Sequence, residues 1–327
     1  MSFMISLRRP DNRPGVGTPK FLVIDDDSHA VTEIARPGKW ADAVLAQFAG
    51  AGKPRHGDIL FLVHGFNVDH DAALAFHAKC RSRLRELGWM GEVVSYDWPS
   101  DGLVFAYLPD RANARASASQ LVQSGIRLLQ ARQRPDCTIT VHVMAHSMGA
   151  FVTQQAFNWA YQDVPPDWAL GQVLLVAGDV DHTVFSATNP SAAKFDQHAG
   201  RLTAYRNRYD KALLVSNVKK VGLAPRVGRV GLPDDSPAMM VEVDCSDLFD
   251  TVDPGLVDEL SPVTTHCFYF DQPEFWRDVV LNLAGGIDRA VFPTREPAPG
   301  AAVANRFALK PAGPSDADYD KALQRAR

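Results

Sequence analysis

The sequence predicts an α/β protein built on a doubly wound, mainly parallel sheet with helices on both faces. Three observations carry that expectation. Ile59 to Val63 and Val173 to Ala177 are unbroken apolar runs, as strands covered on both faces are. Segments of helical length and pattern lie between the strand runs. The loops that follow the strands hold His, Asp, Trp and Ser, and in an open α/β sheet the site forms at the carboxyl ends of the strands.

Composition narrows the function. The 327 residues are 46% apolar, enough for a sizeable core, and carry a net charge of -4, which offers no field suited to nucleic acid. A small molecule is the expected partner; the oligomeric state is left open. No apolar run is long enough for a membrane span. Residues 1–10 place their charges after a short apolar stretch, the reverse of a secretory signal, so a cytoplasmic chain is expected. The cysteines Cys80, Cys137, Cys245 and Cys267 lack paired spacing, and buried free thiols are expected. With no repeat or linker, one domain over 1–290 is expected, residues 1–56 leading into its core, followed by a Pro/Ala-rich tail over 291–327 that winds over the surface or is loose.

In chain order, Met4 to Leu7 and Phe21 to Ile24 read as a leading hairpin around Pro14-Gly15-Val16-Gly17, and Trp40 to Phe48 as a short helix. Asp25-Asp26-Asp27 reads as a solvated turn rather than a metal site. The strand from Asp58 ends at His64-Gly65-Phe66-Asn67. A loop in that place supplies a backbone N–H to an oxyanion in acyl-transfer enzymes; Gly65 permits the approach and Phe66 N–H is the candidate donor. His64 reads first as a structural histidine bonded to nearby backbone. Asp69-His70-Asp71 reads as a helix cap ahead of a basic, solvated helix over 71–87. The strand Glu92 to Asp97 ends in Trp98-Pro99-Ser100-Asp101-Gly102, where Trp98 either lines a pocket or covers the sheet. A long helix over 109–132 follows.

The most informative stretch is Cys137 to Trp159. Ile139, Val141 and Val143 alternate as in a strand, Ala145-His146-Ser147-Met148-Gly149 interrupts, and Phe151, Val152, Ala156 and Phe157 resume at helical spacing. A strand, a sharp turn and a helix meeting at a serine expose the hydroxyl and aim the next backbone N–H at the same spot. Ala145 stands where the first glycine of such an elbow usually is.

Beyond it, Gln172 to Ala177 reads as a strand, Ala192 to His198 as a surface helix, Leu202 to Tyr205 as a strand, Lys211 to Val218 as a helix and Ala238 to Val243 as the last strand. No large lid fits between 183 and 201. Basic residues dominate 201–229 and acidic ones 234–259, so mutual neutralisation is favoured over a phosphate site at Arg226 and Arg229. Pro273 to Leu283 reads as a final helix. A serine needs a histidine base oriented by a carboxylate, in the chain order Ser, acid, His. Of the histidines after Ser147, His182 leaves almost no room for an intervening acid and His198 falls on the surface helix. His266, in the loop after the last strand, is preferred.

At Val63-His-Gly-Phe-Asn67, Tyr96-Asp-Trp-Pro-Ser100, Ala145-His-Ser-Met-Gly149, Asp179-Val-Asp181, Asn207-Arg-Tyr-Asp-Lys-Ala-Leu213 and His266, the chain resembles the α/β-hydrolase superfamily. It looks most like a bacterial branch of functionally unassigned, esterase- or lipase-like serine hydrolases. The resemblance spans residues 58 to 284. It implies an α/β-hydrolase fold and cofactor-free hydrolysis of a small-molecule acyl substrate, carboxylic esters first; no metal is expected, since no ligand cluster has sensible spacing. Ser147 would attack, His266 would shuttle the proton, and the N–H groups of Phe66 and Met148 would hold the oxyanion. His64, Gly65, Trp98 and His146 would line the pocket. The usual place of the acid in this fold, the strand after next from the nucleophile, selects Asp210, with Asp181 as runner-up and Asp179 third. An amidase or acyltransferase with the same triad, or a non-catalytic binding protein of this fold, are the alternatives.

Overall fold

In the computed structural model the two leading apolar runs form β1 (Ser2–Ser6) and β2 (Lys20–Ile24), paired antiparallel as a hairpin. Every residue is described except 11–14, 27, 29, 49–54, 101–106, 135–136, 161–166, 219–223 and 253–260. Asp27, Asp101, Gly102, Lys219, Lys220 and Pro14 of the hairpin turn therefore lie outside the described residues, as does the end of the acidic block. The chain divides into two units, residues 1–82 with 90–170, and residues 83–89 with 171–327.

The first unit continues with β3 (Val31–Glu33), α1 (Pro37–Ala46), β4 (Arg55–Val63), α2 (His70–Glu86) and β5 (Glu92–Asp97). After these come α3 (Tyr107–Gln120), α4 (Arg127–Gln130), β6 (Cys137–His146) and α5 (Met148–Ala160). The expected single helix over 109–132 is interrupted by a π-helical stretch, Leu121–Ile126, between α3 and α4. Pro37 opens α1, whose Trp40, Ala41 and Val44 share the buried face. Trp40 packs against Phe3 and Phe21 and donates its indole N–H to the Leu22 carbonyl at 3.0 Å. Burying such a ring contributes on the order of 2–3 kcal/mol, so the hairpin is fixed from below.

Strand order in this unit is β6-β4-β5-β1-β2-β3. β6, β4, β5 and β1 run parallel, and β2 and β3 add the antiparallel edge. The register sets Val63 level with both Ala145 and Tyr96, and Asp97 level with Ser6. The carboxyl ends of four strands are thus flush, which brings His64, Asp97, His146 and the residues after Ser6 to one edge.

The second unit holds β7 (Leu170–Val176), α6 (Pro190–His198), β8 (Ala199–Arg206), α7 (Lys211–Val218), α8 (Val227–Val230) and β9 (Met240–Asp244). Then follow α9 (Ser246–Val252), α10 (Pro262–Cys267), α11 (Pro273–Ala284), β10 (Arg295–Pro297), β11 (Arg306–Leu309) and α12 (Asp316–Ala326). Its strand order is β7-β8-β9-β11-β10. β8, β9 and β11 run parallel and β10 is antiparallel to β11. Between β7 and β8 the chain holds only a 3-10 turn, His182–Phe185, and α6.

Four readings need correction here. β9 is not the last strand, α11 is not the final helix because α12 follows it, and residues 291–327 are not a loose tail. Arg295 on β10 is fully buried and bonds Asp278 on α11 through Nε and Nη2, both at 2.6 Å, while β11 pairs with β9. These strands of three and four residues are too short to leave a periodic signal, and an arginine in one looks like a surface residue until its buried partner is known. His198, expected on a surface helix, is buried at the end of α6.

Part of the basic block is neutralised by the acidic one: Arg206 pairs with Glu242 at 2.6 Å and Asp244 at 2.7 Å, and Arg208 with Asp247 and Asp250. Arg226 pairs instead with Asp179, outside the acidic block, at 3.1 Å. The cysteines form no disulfide; Cys80 and Cys245 are buried, and Cys137 and Cys267 are half-buried. Among the described residues no helix is long and apolar enough to cross a membrane.

Candidate active site

Ser147 sits between the last residue of β6 and the first of α5, with φ of 53°. The left-handed region costs a residue with a Cβ about 1–2 kcal/mol, and the surrounding backbone imposes it here. A Cβ on Gly149 would fall 2.2 Å from the Val63 carbonyl oxygen, and one on Gly65 would fall 2.8 Å from the Ser147 Cβ. Neither position can hold a side chain, so the turn closes directly onto the end of β4. Ala145, at the other glycine position of the elbow, is accommodated within the β4/β6 register opposite Val63. Ser147 is 8% exposed and Met148 is buried. Phe66 is half-buried in the loop after β4, followed by Asn67 at φ of 60°, a residue type that tolerates this conformation.

His64 has the structural role that its sequence context favoured. Its ring nitrogens lie 3.0 Å from the Gly65 carbonyl oxygen and 3.3 Å from Asp97 Oδ1. Trp98 is fully buried, stacks on the His64 ring at 5.4 Å and donates its indole N–H to the His64 carbonyl at 2.8 Å. Trp98 therefore covers and fixes the end of β4. His146, half-buried, precedes the serine. Asp69 accepts from Ala72 N–H at 2.8 Å and caps α2.

In the second unit His266 lies on α10 rather than in the expected loop, 8% exposed, with its Nδ1 2.6 Å from Asp210 Oδ2. Asp210 is fully buried, and its other oxygen accepts from Leu213 N–H at 2.9 Å at the start of α7. One carboxylate thus caps a helix and holds the imidazole. Asn207 ties the two segments together by donating to the Thr265 carbonyl at 3.2 Å, while Thr265 Oγ accepts from Lys211 N–H at 3.1 Å. Asp181 is elsewhere engaged: its Oδ1 accepts from the Thr183 N–H and hydroxyl, both at 2.9 Å, as the cap of the 3-10 turn.

Burial alone would push the pKa of His266 down. The Asp210 carboxylate, by its charge and by the hydrogen bond, outweighs this with help from Asp179 and holds the imidazole above its ordinary 6.5. Asp179 is itself paired with Arg226, which leaves no need for a phosphate there. Among the described residues no three His, Cys, Asp or Glu side chains form a group that could hold a metal ion. An imidazole bonded through Nδ1 to a buried carboxylate keeps Nε2 as a proton acceptor, which suits it to serve as a base.

Residues 43–277 match the family described as alpha/beta hydrolase of unknown function (DUF900). The chain belongs to this α/β-hydrolase family. A solved structure, that of a lipase-esterase related protein from Clostridium acetobutylicum, aligns at 12% identity over 64% of this chain and 95% of its own, with a TM-score of 0.29. A likeness of that size carries no argument about activity. No curated protein matches the sequence.

Two features of the hydrolase escaped the sequence reading. Asp97 is a buried hub bonded by Ser6, Arg8, His64 and His70. The Asn207–Thr265 tie is the other. Asp97 did leave a signal, an acidic residue closing a fully buried strand.

Proposed function

We propose that this α/β hydrolase is a serine hydrolase that cleaves carboxylic esters through an acyl-enzyme. Ser147 Oγ attacks the acyl carbon and its proton passes to His266 Nε2. Asp210 holds the ring in the tautomer with Nδ1–H and favours the imidazolium that forms. The N–H groups of Phe66 and Met148 take the developing oxyanion, where two fixed donors are worth several kcal/mol. His266 then returns the proton to the leaving alkoxide, and water repeats the sequence to release the acid. An alkoxide leaves with less protonation than an amine, so the same groups cleave esters ahead of amides.

The observation that carries this reading is the left-handed Ser147 on a turn held against β4 with no room for a side chain at Gly65 or Gly149. Ala177 after β7 shares this conformation, but at Ser147 the strained residue carries a hydroxyl, the group that such strain serves at active sites. The test is intact mass after treatment with an organophosphonate serine probe, alongside turnover of short activated esters. One adduct on the native chain, none on Ser147→Ala, and a fall in turnover of several orders of magnitude are expected. A folded Ser147→Ala variant that still takes the adduct or still turns over ester overturns the assignment.

A further inference from the structure

The amide proposed to bind the oxyanion, Phe66 N–H, lies in the short loop 64–69 between the end of β4 and the start of α2. An oxyanion donor works only if it is held within a fraction of an ångström of the place where charge develops. Loops are the least rigid carriers of such groups. This one is tied down at both ends from a single buried carboxylate.

Asp97, at the end of β5 and fully buried, takes His64 Nε2 at 3.3 Å from one side of the loop and His70 Nδ1 at 2.8 Å from the other. Its remaining partners come from β1 and the residues just after it, Ser6 Oγ at 2.9 Å and Arg8 Nε at 2.7 Å. Arg8 then spends its other N–H groups on backbone, reaching the Val68 carbonyl at 2.6 Å and the Ser100 carbonyl at 3.1 Å. Val68 is held at its other backbone group as well, its N–H donating to Ser100 Oγ at 3.4 Å. Residues 64, 68 and 70 are therefore pinned, and Phe66 lies between the pins.

We infer that Arg8 and Asp97 are positioning residues of this hydrolase, a buried ion pair from the ends of β1 and β5 that fixes the loop carrying the Phe66 amide. The inference rests on the serine-hydrolase reading above. Burial would raise the Asp97 pKa, but the bonds from His64 and His70 and the Arg8 charge hold it far below the usual carboxylate range, so the hub stays ionised at any working pH. A guanidinium suits the place because its planar fork aims three separate nitrogens at the carboxylate and the two carbonyls, whereas an ammonium offers its donors from a single point.

The experiment compares Arg8→Ala, His70→Ala and His70→Asn with the native chain, reading kcat and KM on an activated ester, inhibition by a boronic acid, and thermal midpoint. Native protein that takes no phosphonate on Ser147 and hydrolyses no ester overturns the serine-hydrolase reading, and the catalytic meaning of the clamp with it. With an active native chain, Arg8→Ala should lower kcat about tenfold to a hundredfold at nearly constant KM, as a displaced oxyanion donor does. Boronate binding should weaken by a similar factor. Added guanidinium, unlike sodium at equal ionic strength, should restore part of the loss. His70→Asn, whose amide can replace Nδ1, should stay near native while His70→Ala falls. Folded Arg8→Ala and His70→Ala variants with native kcat overturn the proposal. So does a loss that tracks the thermal midpoint, appears in KM and is not rescued by guanidinium.

Discussion

His266 Nδ1 stands 2.6 Å from Asp210 Oδ2, on a carboxylate whose other oxygen closes the first turn of α7. Asp181, two residues beyond Asp179, caps its own 3-10 turn instead. Replacing Asp210 by Asn preserves shape but presents an N–H to Nδ1 and favours the wrong tautomer. Turnover of Asp210→Asn should drop by about 10⁴, the cost of the same change in a comparable triad. Asp181→Asn should cost less than tenfold, on the order of an exposed cap. Steady-state rates at matched thermal stability decide; the opposite ranking would move the role to Asp181.

On the proposed mechanism the same pair should set the pH profile. His266 accepts a proton only when neutral, and its pKa is raised above 6.5 by Asp210, with Asp179 adding to it against the effect of burial. The acid limb of kcat/KM should therefore be centred above pH 6.5, with activity lost as pH falls through that value. Asp210→Asn removes the main raising influence, and its residual activity should show the limb shifted to lower pH. A native limb centred below that of the variant would contradict the arrangement.

A second histidine should bear on stability rather than rate. His77 is buried against Ser95 Oγ at 2.9 Å, and burial, followed by the Arg81 charge, pushes its pKa down to about 4. The folded state keeps this ring neutral while the unfolded chain protonates it below about 6.5. Its stabilising contribution is thus present above that pH and is lost as pH falls towards about 4. Between pH 7 and pH 5 the loss from this group should be ~2 kcal/mol, visible as a lower urea midpoint. His77→Asn, which does not titrate, should show a flatter dependence; equal slopes would assign the acid sensitivity elsewhere.

Much of this was legible before any coordinates. The hairpin of β1 and β2, strand β5 and the start of α7 follow from apolar runs and their flanking turns. Ser147 was visible because strand, turn and helix signatures are local. His266 was reached by chain order, though α10 is too short to have been recognised as a helix. The Arg8–Asp97 hub was not reached, since its two members lie 89 positions apart and nothing local marks their meeting. For the same reason nothing local marks Arg295 as the partner of Asp278. The π-helical stretch at Leu121–Ile126 lay in a segment of uniformly helical composition, where one added residue per turn has no compositional sign.

Asp278 lies in the middle of α11, wholly buried, and accepts from Tyr205, Thr294 and both arms of Arg295. Two of those donors are made late. As the chain leaves the ribosome, β7, β8, β9 and α11 are all complete while Asp278 still lacks its countercharge, and a bare carboxylate in a dry interior costs several kcal/mol. The second unit should therefore consolidate only when residues 294 and 295 emerge, so that the start of β10 acts as a latch on synthesis, keeping the segments that bear His266 and Asp210 pliable until Asp278 has met its countercharge.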